Sequence, residues 1–506
     1  MMRRPSRLKL VLLTLLIAVT TATAPALAQG VLRIGRESDS KTLDPIRTAE
    51  NLDIWVANNL HAMLVRSNPE ATAIVPDLAE SWTVSEDGRS YAFQLREATF
   101  SDGSTIEPSD VVFSLLRVRD DPASAWASNY TNIADVEATG PREVTITLHE
   151  PSTPFLATLA LVMAAIVPEA VAGPAGEAFG SSPVGAGAFR LAEWRRGEVL
   201  VLERNPYYWD EGLPILDRVE WHAVVEDNTR ILQVQVGQLD AALFVPFNRI
   251  AELEANPEVQ VHLDPSSRTD HIIFNHEVEH LDNPLVRQAL AHATDRQSIV
   301  DVVTFGKGTV ANSFIPMGAQ FYNPDNPARQ FDLERARELM QEAGVGRLSF
   351  ELMIQAGDRV EEQIAVLLQQ QWREIDVDIS LRRVDPSQWF GVLLDGTFDM
   401  STVYWTNDMI DADQKISFGF SDDAMMNFLT RYKNPELTAK VFEARIAQDE
   451  DVRQELYYEI QRVAEEDAFL LNLYYSPFRN ISRVGVEGFV QNPLGRLMLE
   501  TTRVAR

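Results

Sequence analysis

Hydrophobic positions along the chain switch repeatedly between two periods. Trp82 and Val84, then Tyr91, Phe93 and Leu95, alternate with polar residues on either side of Glu86-Asp87-Gly88. Alternation puts every second side chain on one face of a strand, and a glycine-containing turn between two such runs predicts a β-hairpin. Val144, Ile146 and Leu148 predict a further strand, as do Val377, Ile379 and Leu381, while His271 to Phe274 is a continuous apolar strand. The helical period takes over elsewhere. Asn283-Pro284 supplies a cap and a proline for the first turn, followed by Leu285, Val286, Ala289, Leu290 and Ala293 on one face. Asp332 starts a second helix that should stop at Gly344, and Ile364, Leu367, Leu368 and Trp372 mark a third. Strand and helix signals intermix over the whole length, which predicts an α/β chain with mixed sheets. Gly173 to Gly187, with Pro174, Pro183 and five glycines, predicts a loop-rich seam, and a second seam should follow His271 to Phe274.

One apolar stretch differs in kind. Arg3, Arg4, Arg7 and Lys9 precede the run Val11 to Val19, and small residues close it at Ala26-Leu27-Ala28. A basic start, an apolar core too short to span a bilayer comfortably and an A-x-A end predict a cleaved export signal over residues 1–28. The mature chain is expected to begin near Gln29 and to work outside the cytoplasm. The chain contains no cysteine, so no disulfide can form and no lipid can be attached through an N-terminal thiol. A freely diffusing periplasmic protein is the expectation.

Composition sharpens this. Five hundred and six residues exceed what one core usually serves, so two or three domains are expected. The formal net charge is −29, and removal of the four leader cations leaves about −33. Such a surface repels nucleic acid and anionic lipid, and it favours cationic or zwitterionic partners. No later run is long enough to cross a bilayer, and no internal repeat stands out.

His276-Glu277-Val278-Glu279-His280 matches H-E-x-x-H, the spacing that on a helix puts two histidines beside a glutamate base to hold zinc. Here the motif follows a strand and precedes the helix cap at Asn283, so it falls in a connection where that geometry is lost. No glutamate occurs between Glu279 and Glu334 to complete a ligand set, which leaves Asp295 or Asp301. A secreted zinc hydrolase using His276, Glu277 and His280 is therefore a remote alternative. His271 is expected as an exposed loop histidine, with an incidental metal site shared with His276 as the other option. There is no thiol nucleophile, no G-x-S-x-G elbow and no phosphate loop, and Gly185-Ala186-Gly187 reads as a lone small-residue turn. The Asp408, Asp411 and Asp413 cluster lacks the glycine and distal glutamate of a calcium loop and is expected to be a solvated acidic loop. No cofactor is expected.

An ordered series of short blocks carries a resemblance. Pro183-Val184-Gly185-Ala186-Gly187-Ala188-Phe189-Arg190, Glu193-Trp194, then Leu202-Glu203-Arg204-Asn205-Pro206 and Trp209 resemble the hallmark block of family 5 extracellular solute-binding proteins. Leu43-Asp44-Pro45, Pro76 with Leu78-Ala79-Glu80-Ser81-Trp82, Phe100-Ser101-Asp102-Gly103 and Asp110-Val111-Val112-Phe113-Ser114 agree in order. So do Val286-Arg287-Gln288-Ala289-Leu290, Asp295-Arg296, Gly396-Thr397-Phe398-Asp399, and Tyr457 with Ala468. The resemblance implies the periplasmic-binding-protein-like α/β fold of class II, cluster C, with three lobes and a cleft closed by a hinge. It implies a discontinuous domain I over 29–55, 181–270 and 478–506, an inserted domain II over 56–180 and domain III over 271–477. The hinge is expected near His271 to Asn275 and, on the return, near Tyr474 to Pro477. It also implies a non-enzymatic role as the solute-binding component of a bacterial ABC importer, delivering peptides or another amine-bearing solute to a membrane permease with its ATPase subunits. The protein is expected to act as a monomer.

In peptide-binding relatives, an aspartate three positions after a tryptophan accepts the ligand's ammonium group, and Trp405-Thr406-Asn407-Asp408 matches that arrangement. A carboxylate in a dry cleft gives a charge-assisted hydrogen bond to an amine, and Trp405 can cover the apolar part of the ligand or its cation. Tyr404, Thr406 and Asn407 join the candidate site. Glu50 falls near an acidic contact of some relatives, and Trp126 and Tyr130 lie in a domain II segment that can lid the cleft. Val403 stands where a basic residue meets the ligand carboxylate in oligopeptide-binding relatives, and Arg359 is the candidate substitute. The same scaffold holding a non-peptide cationic or amino-acid-derived solute is the alternative.

Overall fold

The computed structural model describes residues 30–420 and 425–505, and its chain builds three principal sheets. The proposed leader, residues 1–28, lies outside the described residues. The first sheet has seven strands in the spatial order Val259–Asp264, Phe478–Arg483, Ala241–Ala242, Val31–Arg36, Arg218–Ala223, Val199–Arg204 and Phe189–Arg195. Val31–Arg36 runs parallel to both its neighbours, and Leu32, Ile34, Leu200, Leu202, Val219 and Trp221 bury one side of the sheet. The second sheet is an antiparallel set of Ala79–Val84, Ser90–Leu95, Glu143–Leu148 and Ile133–Gly140. The predicted hairpin forms there with Trp82 opposite Phe93 and Val84 opposite Tyr91.

The third sheet orders Thr309–Val310, Leu470–Tyr475, Thr269–Phe274, Met400–Trp405, Leu348–Gln355 and Val377–Val384. Thr269–Phe274 is buried at every position because strands flank both its edges and its two faces serve different cores. Ile272 and Phe274 enter one cluster and Ile273 another, which is why its apolar run is unbroken. The predicted helices pack here: Asn283 Oδ1 accepts from the Leu285 amide at 3.0 Å to start Pro284–His292. Asp332 caps Leu333–Glu342 in the same way, and Gly344 follows with φ at 69°. Arg359–Arg373 buries Ile364, Leu368 and Trp372.

Two chain crossings join the first and third sheets. Val259–Asp264 passes through residues 265–268 into Thr269–Phe274, and Leu470–Tyr475 returns through 476–477 into Phe478–Arg483. The Ser266 hydroxyl donates to the Ser476 carbonyl and ties the crossings together. The first crossing therefore precedes the expected hinge at His271 to Asn275. His271 to Phe274 is already locked in the third sheet between two partners, whereas the expected return at Tyr474 to Pro477 does contain the second crossing. Thr269–Phe274 is one continuous strand and Asn51–Leu60 one continuous helix, so the expected boundaries at 270/271 and 55/56 each fall inside an element.

The third lobe is shut against the other two. Met409 and Ile410 are buried in the same apolar cluster as Ile54, Leu161 and Val162. The Thr153 amide donates to the Arg445 carbonyl at 2.8 Å and its hydroxyl to the Ala447 carbonyl at 2.7 Å. Lys307 reaches Glu254 at 3.0 Å. The expected loop seam is partly ordered, since Glu169–Ala175 is α-helical and Gly176–Ser181 is a 3-10 helix. Beyond it the chain presses on the end of helix Asn51–Leu60: the Gly187 amide donates to Leu60 O at 3.0 Å. A Cβ on Gly185 would stand 2.2 Å from Leu60 O, and one on Gly187 2.5 Å from the Leu60 carbonyl carbon. The two glycines are a steric requirement of this contact.

Candidate functional site

Strand Met400–Trp405 ends beside the first crossing, with Trp405 opposite Thr269 in register. The chain then turns through residues 406–412 before helix Asp413–Phe420, which carries the residues after Trp405 to the junction of the lobes. Ser267 of the crossing donates its hydroxyl to the Asn407 carbonyl at 2.9 Å and its amide to the Pro493 carbonyl at 2.8 Å. The hinge is thus bonded directly to the candidate loop.

Asp408 lines a cavity of about 30 Å³ together with Ile54, Asn58, Met63, Met163 and Arg496. Gln414 holds it twice: Gln414 Nε2 donates to Asp408 Oδ2 at 3.1 Å, and the Asp408 amide donates to Gln414 Oε1 at 2.9 Å. Burial pushes its carboxyl up to about 6, and the Gln414 hydrogen bond offsets only part of this. Asp411 and Asp413 behave differently. Both are buried, Asp411 pairing with Arg453 at 3.0 Å and Asp413 with Arg445 at 3.1 Å. The cluster is therefore not the expected solvated loop. Two of its acids are anchored by arginines from helices packed behind it, and Asp408 alone among the three has no basic partner among the described residues.

Consecutive strand residues point to opposite faces, and Tyr404 and Trp405 divide accordingly. The Trp405 ring lies 4.8 Å from that of Phe418 in a cluster with Ile273 and Leu393, and its buried indole nitrogen has no partner. Tyr404 is exposed and covers Arg268, whose guanidinium stands 3.8 Å from the ring centroid. Arg268 itself grips Asp270 with two hydrogen bonds of 2.9 and 2.6 Å. Asn407 is buried, and neither polar atom of its side chain has a partner. Thr406 is half-buried.

The other candidates separate into mouth and core. Glu50 is exposed at the start of helix Asn51–Leu60 and is paired with Lys41 at 2.8 Å, near enough to Tyr404 for its charge to help raise that phenol, which burial raises first. Arg359 is exposed in the first turn of Arg359–Arg373, at the same end of the third sheet as Trp405. Trp126 and Tyr130 are not brought to the cavity. Trp126 donates its indole N–H to the Thr48 carbonyl at 2.7 Å, and Tyr130 donates to the Thr158 carbonyl at 3.1 Å; both belong to the apolar core of the second sheet.

His276 to His280 forms a turn with His280 at φ 70°. His276 Nε2 lies 2.8 Å from the Phe469 carbonyl, and Glu277 pairs with Arg431 at 3.1 Å. A zinc site needs these side chains on one helical face, and no group of three metal-ligating side chains occurs among the described residues. His271 is neither exposed nor in a loop: it is 1 % exposed within Thr269–Phe274. Sequence reasoning missed Gln414, Lys415, Arg268 and Asp270. The position of Lys415, between the acidic cluster and the apolar Ile416 and Phe418, was the available signal that it lies on a buried face.

Residues 73–427 match the model for bacterial extracellular solute-binding proteins, family 5 (middle). The glutathione-binding protein GsiB of Escherichia coli K12 is 32% identical over 394 residues, covering 77% of this chain and 76% of that protein. The probable D,D-dipeptide-binding periplasmic protein DdpA of the same strain is 26% identical over 97% of this chain and 98% of its own. Among solved structures, the binding protein AgaA from A. tumefaciens R10, in complex with agropinic acid, superposes with a TM-score of 0.83 at 26% identity, covering 94% of this chain and 99% of that one. No described helix is long and apolar enough to cross a membrane.

Proposed function

The chain belongs to the family 5 bacterial extracellular solute-binding proteins, and from that premise we propose that it captures short peptides or a related amine-bearing solute between its first and third lobes. It is a transport component of the ABC-importer class and performs no bond chemistry. The carrying observation is Asp408, a half-buried carboxylate on the cavity wall, held by Gln414 and without a cation among the described residues while Asp411 and Asp413 have theirs. A ligand ammonium group supplies the missing charge, and the binding of glutathione and dipeptides by relatives supports that class. Trp405, Thr406 and Asn407 form the wall beside it, with Tyr404 and Glu50 at the mouth and Arg359 at the outer edge. We assign no contact to Trp126 or Tyr130.

We divide the lobes at whole elements: a first lobe from 29–50, 181–268 and 478–506, a second from 51–180 and a third from 269–477. Cleavage of residues 1–28 near Ala28 releases an unlipidated monomer into the periplasm, where it delivers its solute to an inner-membrane permease with its ATPase subunits. Nucleic acid is not a partner. A second reading, a non-peptide amino-acid-derived solute on the same scaffold, is favoured by the agropinic acid held by AgaA. Mass spectrometry of solute released from native protein, followed by titration calorimetry with that solute and with reduced glutathione, tests both. Recovery of a solute without an amine refutes the proposal.

A further inference from the structure

The second lobe meets the third at a helix end. Helix Pro435–Ile446 leaves its last carbonyls without donors of its own, as every helix does. Two of the carbonyls at this end are met from within the third lobe: Arg453 Nε donates to the Ala444 carbonyl at 3.0 Å, and Gln448 Nε2 to the Ile446 carbonyl at 3.3 Å. The carbonyls of Arg445 and Ala447 are met from outside it. Thr153 gives its amide to the first at 2.8 Å and its hydroxyl to the second at 2.7 Å. A single residue of the second lobe thus completes the C-terminal end of a third-lobe helix.

Both halves of this contact are tied into their own lobes. Asn132 clamps the turn before Thr153, its Nδ2 donating to the Glu150 carbonyl at 3.0 Å and its Oδ1 accepting from the Glu150 amide at 3.0 Å. The Tyr91 hydroxyl donates to the Ser152 carbonyl at 3.0 Å. On the other side the Arg445 guanidinium donates to Asp413 at 3.1 and 3.2 Å, and Asp413 opens the helix on which Gln414 holds Asp408. Groups fixed in this way lose little freedom when they join. The further contacts that shut the third lobe have less direction. Met409 and Ile410 meet Ile54, Leu161 and Val162 through apolar surface, and Lys307–Glu254 is a partly exposed ion pair of small expected worth.

We propose that Thr153 is a catch: as the lobes close it caps helix Pro435–Ile446 from across the gap, and its hydroxyl slows reopening. The inserted second lobe is then a working part of closure, added to the grip of the first and third lobes on the solute. The catch bonds join protein to protein, so they act with or without solute and do not depend on the reading of Asp408 as the amine receptor.

Single-molecule energy transfer on the mature chain without solute tests it at about pH 5, where the charge of Asp408 opposes closure less than at neutrality. The chain has no cysteine, so dyes attached through Glu137→Cys on the second lobe and Glu436→Cys on the third, both exposed positions, report opening and closing rates. Thr153→Val keeps the amide and the shape and removes the hydroxyl. A neutral hydrogen bond of this kind shifts an equilibrium by about two- to tenfold, and the variant is expected to reopen faster by that factor. Its closing rate should stay as in wild type, because the catch bonds form after the lobes meet. Thr153→Ser retains the hydroxyl and should restore the wild-type reopening rate. A wild type with no closed population, a reopening rate unchanged in Thr153→Val, an effect confined to the closing rate, or a Thr153→Ser protein that reopens as fast as Thr153→Val would each overturn the catch.

Discussion

Replacing Asp408 by asparagine removes one charge and leaves the shape, which makes it the most informative perturbation of this protein. In the closed structure burial lifts the carboxyl from 3.8 to about 6. At about 1.4 kcal/mol per pH unit, holding it ionised at pH 7 costs the closed form about 3 kcal/mol. The closed form binds this proton more tightly than an open, solvated form would. Closure without ligand is therefore favoured as pH falls through about 6 toward 4, and is opposed by the full penalty at neutral pH. A ligand ammonium reverses that sign by supplying the missing counter-charge. Asp408→Asn is expected to do two opposite things: the unliganded protein becomes more compact at pH 7, and affinity for a free-amine ligand falls at least a hundredfold. The second follows because breaking a buried pair typically costs about 3–5 kcal/mol. Small-angle scattering reads the first effect, and calorimetry with the free-amine and N-acetylated forms of the solute recovered from native protein reads the second. Wild-type affinity should also fall as Asp408 of the free protein takes up its proton between about pH 6 and pH 4. An Asp408→Asn protein that binds the free amine as tightly as wild type, or wild type that makes no distinction between the two forms, would refute the reasoning.

Glu277→Gln should leave solute binding and metal content as in wild type, checked by calorimetry and elemental analysis, because the turn at His276 to His280 holds no metal geometry. Gly187→Ala should lower stability by about 1–3 kcal/mol in denaturant titration, since its Cβ would stand 2.5 Å from the Leu60 carbonyl carbon. Arg453→Met strands the buried Asp411 carboxylate and should cost about 3–5 kcal/mol in the same measurement. Exported protein should have the intact mass of residues 29–506 with no lipid adduct; a mass that includes residues 1–28 would remove the export argument.

The pattern of apolar residues was sufficient for the elements whose two periods are clean. The hairpin around Gly88, the helix capped by Asn283 and the strand ending at Phe274 all form where periodicity places them. The hinge was displaced because the apolar run from His271 drew the boundary to itself, whereas the crossing lies in the polar stretch Pro265-Ser266-Ser267-Arg268 before it. Trp126 and Tyr130 could not be sorted between lid and packing because an indole N–H satisfied by a backbone carbonyl is indistinguishable in sequence from one facing a ligand. Asp408 was legible through its spacing from Trp405, but its isolation was not. That depends on Arg445 and Arg453, more than thirty residues away in sequence, taking the two neighbouring acids. The burial of His271 and Lys415 escaped for a related reason: it is a property of the packed chain alone.

The glycines pressed against the end of helix Asn51–Leu60 have a practical corollary. They belong to the stretch by which the scaffold is recognised, yet none of that stretch lines the Asp408 cavity. Its diagnostic letters are dictated by backbone clearance, so they report architecture and are silent on cargo. Retargeting the protein as a sensor for another molecule would therefore concentrate substitutions around Asp408, where the loop meets the cavity. The joint at Gly185 and Gly187 would be kept as a fixed chassis.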